Sequence, residues 1–186
     1  MTRIEGKLLI ASPHLNDPNF YRTVVLVLKH DPEEAFGLIL NRPTEHRLTD
    51  VMAMVSKTLC VHDMPLYFGG PVEGPLMALH NISEADAESE SECRSGVAVS
   101  VQQERILKLV SQTGIRLRVF DGYSGWGPGQ LEMELEQGGW LIAEANGDTI
   151  FCDHDDLWQR LVTEIGRDII TTGIKPGHLP NDPAVN

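Results

Sequence analysis

Positive charge is scarce in this chain. Lys and Arg number 15 against 27 Asp and Glu, a formal net charge of −12 over 186 residues. Such a chain repels nucleic acid and anionic membranes at long range. Duplex binding needs several phosphates neutralised by Lys or Arg, and no cluster of the two occurs, so DNA is not an expected partner. Long apolar runs are missing as well. Without about 18 consecutive apolar residues, neither a membrane span nor a membrane partner is expected. Met1-Thr2-Arg3-Ile4-Glu5-Gly6 has no apolar signal region. Cysteine occurs only at Cys60, Cys93 and Cys152, an odd number at wide spacing. That argues against a disulfide framework and fits free thiols in a reducing cytoplasm. Neither C-x-x-C nor H-x-x-x-H is present for a metal, and neither G-x-G-x-x-G nor a Lys-containing P-loop for a nucleotide, so no cofactor is implied.

What is present is a globular composition, 41% hydrophobic. It can fill a core in one domain over residues 1–172, followed by an irregular tail, 173–186, with Pro176, Pro180 and Pro183. Lys7–Ala11 reads as a first strand. Val24–Leu28 is continuously apolar, the pattern of a central strand buried on both faces. A short connection to Ala35–Leu40 favours an antiparallel hairpin, and Asn41-Arg42-Pro43 ends that strand. Leu48–Lys57 is expected to be helical, with Val51, Met52 and Val55 inward. Pro65–Phe68, Pro75–His80 and Val97–Val99 read as strands. Ser83–Glu92 alternates acids with small residues and reads as a solvated loop or frayed edge strand. Ser100 is the expected cap of a helix to about Gln112, with Gln103 completing a capping box. Trp140–Ala145 and Thr149–Cys152 flank Asn146-Gly147, a strong hairpin signal. A last helix opens among Asp153 to Asp156 and carries the apolar stripe Leu157, Trp158, Leu161, Val162 and Ile165.

The most specific stretch runs from Phe120 to Leu135. Ile115, Leu117, Val119 and Phe120 fit a buried strand, which Asp121-Gly122 breaks. Gly125, Gly127 and Gly129 remove Cβ atoms at alternate positions, allowing positive φ or close approach of another surface. Pro128 suits the first position of a short acidic helix, and Gln130 can reach back to a free backbone group.

Four separated motifs then agree: Phe20-Tyr21-Arg22-Thr23-Val24-Val25, Gly37-Leu38-Ile39-Leu40-Asn41-Arg42-Pro43, Phe68-Gly69-Gly70-Pro71-Val72, and Gly122-Tyr123-Ser124-Gly125-Trp126-Gly127-Pro128-Gly129-Gln130-Leu131-Glu132. In order and content they resemble the YqgE/AlgH family of bacterial proteins over roughly residues 6 to 170. The resemblance implies a single α+β domain with a bent, barrel-like mixed sheet, mainly antiparallel, and helices packed outside. It implies no reaction and no catalytic residues. A transcriptional-regulator role attached to some relatives meets here a chain of −12 without a recognisable helix-turn-helix.

Several residues invite chemistry. Ser124 sits between strand and helix like the serine of a nucleophile elbow, but G-x-S-x-G needs glycine where this chain has Trp126. A small residue in a tight turn is the better reading. The glycines ahead of the helix could hold an anion through backbone N–H groups, yet Glu132 and Glu134 would oppose a phosphate. Cys152-Asp153-His154-Asp155-Asp156 holds metal-ligand types, but sequence neighbours rarely converge on one ion. Helix capping by Asp153 or Asp155 accounts for the acids better.

Asn41-Arg42-Pro43, Gly69-Gly70-Pro71 and Tyr123–Trp126 each follow an expected strand and stop it with Pro or Gly. They are expected to meet at one end of the sheet. The cleft would comprise Asn41, Arg42, Gly69, Gly70, Tyr123 and Trp126, with Arg42 offering a bidentate contact to an anionic or carboxylate-bearing ligand. The structural alternative has Arg22 or Arg42 paired with an acid and Asn41 holding a turn. The chain therefore reads as a cytoplasmic binding or regulatory module, for a small molecule or a protein partner, rather than an enzyme. A small-molecule enzyme using the same cleft and a transcriptional regulator are the alternatives.

Overall fold

A computed structural model describes residues 3–81, 91–93, 97–152 and 154–173. Most of the expected loop at Ser83–Glu92, Asp153 and the tail after 173 lie outside the described residues. The strands form two sheets. Across the first run β10 (Ser124–Trp126), β3 (Ala35–Ile39), β2 (Val24–His30), β1 (Lys7–Ala11) and β11 (Trp140–Glu144), every neighbour antiparallel. Across the second run β4 (Pro43–Arg47), β5 (Pro65–Phe68), β9 (Leu117–Asp121), β6 (Met77–Asn81), β8 (Val97–Ser100) and β7 (Ser91–Cys93). Here β5 and β9 are the one parallel pair among the described residues. The helices are α1 (Leu48–Val55), α2 (Gln103–Val110), α3 (Gln130–Glu136), the single turn α4 (Gly147–Ile150), and α5 (Leu157–Gly173). The architecture is α+β, mainly antiparallel. The barrel-like bend takes the form of two separate sheets, which do not close into one barrel among the described residues.

Side-chain alternation along the strands explains the layers. From β1, β2 and β3, Leu8, Ile10, Leu26 and Leu38 point into a core shared with Tyr67, Leu79 and Phe120 of the second sheet. Leu9, Val25, Val27 and Ile39 point the other way, onto Trp126, Trp140 and Leu131 of α3. The outer face of the second sheet buries Ala78, Leu117 and Val119 against α1 and α2. Each fully buried Leu, Val or Ile contributes roughly 1.5–3 kcal/mol, so a strand buried on both faces is favoured twice over. The apolar stripe of α5, led by Leu157, Trp158 and Leu161, packs on the core between the sheets. No helix among the described residues is long and apolar enough to cross a membrane.

Several expected elements differ. The Asn146-Gly147 hairpin is absent: Asn146 is instead the N-cap of α4, its Oδ1 accepting from Thr149 N at 2.8 Å. Asparagine serves a helix cap as well as a turn, and the burial of Ile150 selects the helix. Ser100 is the last residue of β8, its Oγ bonding His80 Nε2 at 3.0 Å, and the N-cap of α2 is Gln102, which makes no side-chain cap. Pro128 precedes α3 by two residues, the N-cap being Gly129 at φ +71. Gln130 still reaches back, accepting from Gly127 N at 3.1 Å. Pro43 opens a strand as well as closing the previous turn, since β4 lies at a sheet edge where its missing donor is tolerated. Met52 is buried on α1, with Leu48, while Val55 is exposed.

Candidate functional site

Gly122 and Tyr123 alone carry the chain from β9 in the second sheet to β10 in the first. This corner is built from backbone. Gly69 N donates to Asp121 O at 2.8 Å, and Gly69 O accepts from Ile39 N at 2.9 Å and from Ser124 Oγ at 3.1 Å. Tyr123 and Val72 exchange both backbone hydrogen bonds at 3.0 Å. A Cβ on Gly69 would lie 2.2 Å from Gly122 O, and one on Gly70 2.3 Å from Ser124 N. Gly122, at φ +70, also faces Gly70 O closely, 2.6 Å from where its own Cβ would be. Only glycine permits three such approaches at once. Phe68 N donates to Arg42 O at 2.8 Å, so the third motif reaches the same corner.

The side chains of those motifs then diverge. Asn41 accepts from Val24 N and donates to Arg22 O, both at 2.9 Å, bracing the entry to β2. Arg42 donates through Nη2 to Tyr21 O. Trp126 is 3% exposed, with its indole on the far face of the first sheet, stacked on Phe20 and edge-on to Trp140. Tyr123 is half-buried on the opposite face, edge-on to Phe36 at 6.1 Å. Among the expected residues, Tyr123 and Trp126 line a concavity that Asn41, Arg42, Gly69 and Gly70 do not line.

That concavity is an open groove of about 590 Å³ beside β10. Phe36, Val72, Met77 and Tyr123 give it an apolar wall, Gly125, Gly127 and Pro128 a bare backbone rim, and Glu33 and Glu34 an acidic end. Lys29 neutralises Glu34, its Nζ 2.6 Å from Oε1 and 3.1 Å from Asp31 Oδ2. These contacts hold the Lys29 ammonium above its ordinary value, the Glu34 hydrogen bond first. Glu33 takes part in no ion pair among the described residues. A ligand-sized volume with few fixed polar groups is the usual character of a binding site. Phe36, Val72 and Glu33 were not singled out by the sequence, because their proximity to Tyr123 depends on β10 joining β3.

The remaining candidates settle into the fold. Ser124 is fully buried, and its hydroxyl is spent on Gly69 O. Among the described residues no group of three His, Cys, Asp or Glu could hold a metal. Cys152 Sγ lies 3.0 Å from both Thr149 O and an Arg160 Nη2. That hydrogen bond is the first cause holding the Arg160 guanidinium above its ordinary value. In the first turn of α3 the Glu132 carboxylate, which accepts from buried His30 Nε2 at 2.8 Å, opposes an anion at the helix start.

The AlgH-like family matches residues 8–170. A UPF0301 protein of Chlorobaculum tepidum is 36% identical over 167 residues, 87% of this chain and 86% of that protein. A UPF0301 protein of Ruegeria pomeroyi is 32% identical over 94% of this chain and 98% of its own length. The solution structure of the AlgH protein from Pseudomonas aeruginosa is similar with a TM-score of 0.72 and 30% identity, covering 96% of this chain and 97% of that one. A crystal structure of a Corynebacterium diphtheriae protein, at 24% identity and TM-score 0.71 over 88% of each chain, shares the fold.

Proposed function

The chain belongs to the AlgH-like family, whose relatives here bring a fold and no reaction, and on that fold we propose that it is a binding module for an extended peptide segment. The supporting observation is that Gly125 and Gly127 are glycines the fold does not require. Neither has a left-handed φ. A Cβ on Gly125 would meet only ordinary contacts, Tyr123 Cε2 at 3.4 Å and Val72 Cγ2 at 3.5 Å, and one on Gly127 would meet nothing within 4 Å. What these two positions do is keep the groove rim bare. β10 is also an edge strand, paired on one side with β3. An incoming strand can hydrogen-bond to such an edge while its alternate side chains enter a neighbouring pocket. The Tyr123 ring and Phe36 suit an apolar side chain, and Glu33 suits a basic one beside it.

Selection of a random peptide library against the folded protein tests this reading, with Gly125→Leu as the comparison. Enriched peptides should pair an apolar with a basic residue, and should lose at least tenfold in affinity for Gly125→Leu and for Glu33→Lys. Peptides that bind all three proteins equally, or an absence of enrichment, would count against it.

A further inference from the structure

We infer that Arg22 and Arg42 form an oxyanion site, separate from the groove beside β10, that takes a phosphate or carboxylate group. Arg22 has φ +55, the only left-handed residue other than glycine among the described residues. A bulky side chain in that region costs of order 1 kcal/mol or more and persists only where the surroundings over-determine it. They do so here. Asn41 Nδ2 holds the Arg22 carbonyl at 2.9 Å, and Thr23 bonds Phe20 O through both its N (3.1 Å) and its Oγ1 (2.9 Å). Glycine would satisfy the same turn without strain, so an arginine in this place calls for a role of its side chain.

The side chain is placed rather than paired. Its guanidinium carbon lies 5.1 Å from the ring centroids of both Tyr21 and Trp158. Contacts with ring faces orient a guanidinium while leaving its edge of N–H donors free. No described residue accepts a hydrogen bond from that edge, and Arg22 is exposed. Arg42 spends one Nη on the carbonyl of Tyr21, the residue whose ring lies under Arg22, so both guanidiniums are held on the same residue. Neither arginine has a carboxylate within 4 Å among the described residues. Acids outnumber bases by twelve in this chain, and Lys7, Lys29, Arg47, Arg116 and Arg160 all have acidic partners. Two guanidiniums held on Tyr21 and kept out of that pairing offer a two-armed donor set suited to an oxyanion.

The test uses the full chain, with inorganic phosphate and citrate titrated against its melting temperature and sodium chloride at matched ionic strength as control. A saturable rise beyond the chloride control is expected, weakened at least tenfold in midpoint by Arg22→Gln and by Arg42→Gln. Lower saturation by phosphate identifies a phosphoryl group, and by citrate a carboxylate. If Arg22→Gln does not fold, Arg42→Gln decides alone, since the one hydrogen bond of the Arg42 side chain among the described residues is to a carbonyl. A rise no larger than with chloride, or one that both variants retain, would overturn the inference.

Discussion

Trp126 and Trp140 donate their indole N–H groups to the same oxygen of Glu134, Oε2, at 2.9 and 2.8 Å. The two rings meet edge-on with centroids 5.9 Å apart. One carboxylate on α3 thus ties the edge strand β10 to the opposite edge strand β11 across the outer face of the first sheet. Gln130 Nε2 steadies its other oxygen at 2.9 Å. Glu134→Ala should strand two indole donors, each costing roughly 1–3 kcal/mol if left unsatisfied. We expect a loss on the order of 2–4 kcal/mol in urea unfolding followed by circular dichroism. Glu134→Gln, which keeps one acceptor oxygen, should lose less. Equal stability of all three proteins would show that water replaces the carboxylate.

The corner and the groove rim predict opposite responses to the same small change. Gly69→Ala drives a methyl group against the Gly122 carbonyl. Overpacking costs roughly 1–3 kcal/mol, and here the neighbour is backbone of a corner held by several hydrogen bonds, so the upper end is expected. Gly125→Ala should change stability by no more than about 0.5 kcal/mol. Urea midpoints of the two variants measured side by side check the contrast. A stability loss at Gly125 matching that at Gly69 would make the rim glycine a requirement of the fold and remove the main support for the peptide reading.

The three central strands were legible because burial on both faces writes a continuous apolar run, as in Val24 to Leu28. β4 was not. Pro43-Thr44-Glu45-His46-Arg47 is polar and starts with proline, and only pairing with β5 makes it a strand. β10 was hidden because it is three residues long with a glycine in the middle. Its partner β3 lies far back in the chain, and local pattern carries no trace of that pairing. The same omission blurred the site. Glycines at 69, 70 and 122 announced a tight corner, and the corner exists. The direction of the side chains around it depends on β10: residues 123 and 126 are an odd number apart in an extended segment, so Tyr123 and Trp126 must face opposite ways. Arg22 gave no local sign of its left-handed backbone, which the clamp of Asn41 from another turn imposes.

A pH effect follows from the turn between β2 and β3. Asp31 accepts from Lys29, and its Oδ1 accepts from the backbone N–H of Glu33 at 2.9 Å and of Glu34 at 3.0 Å. These bonds, the Lys29 one first, hold its carboxyl below the ordinary value. A folded value below the unfolded one means that the contribution is complete above the ordinary carboxylate range and is lost as pH falls through the folded value. The stability difference between the native chain and Asp31→Asn should therefore be constant near neutrality and shrink between roughly pH 5 and pH 2. Melting temperatures of the pair across that window measure it. A difference independent of pH would mean that the Asp31 carboxyl titrates alike in the folded and the unfolded chain.

Asn41 offers the sharpest local test, because its two hydrogen bonds serve one turn. Oδ1 accepts from the N–H of Val24, a fully buried residue, and Nδ2 donates to the carbonyl of the left-handed Arg22. Asn41→Ala leaves both groups unpaired and should cost roughly 1–3 kcal/mol. Asn41→Asp keeps the acceptor for Val24 but turns a carboxylate oxygen toward the Arg22 carbonyl. Amide exchange separates the two outcomes. In Asn41→Ala the Val24 amide should exchange much faster while that of Leu26, inside the β2 ladder, keeps its protection. In Asn41→Asp the Val24 amide should stay protected, with strain relieved by movement of Arg22 instead. An unchanged Val24 amide in the alanine variant would mean that the Thr23 bonds to Phe20 alone hold the turn. The left-handed arginine would then be braced from one side only.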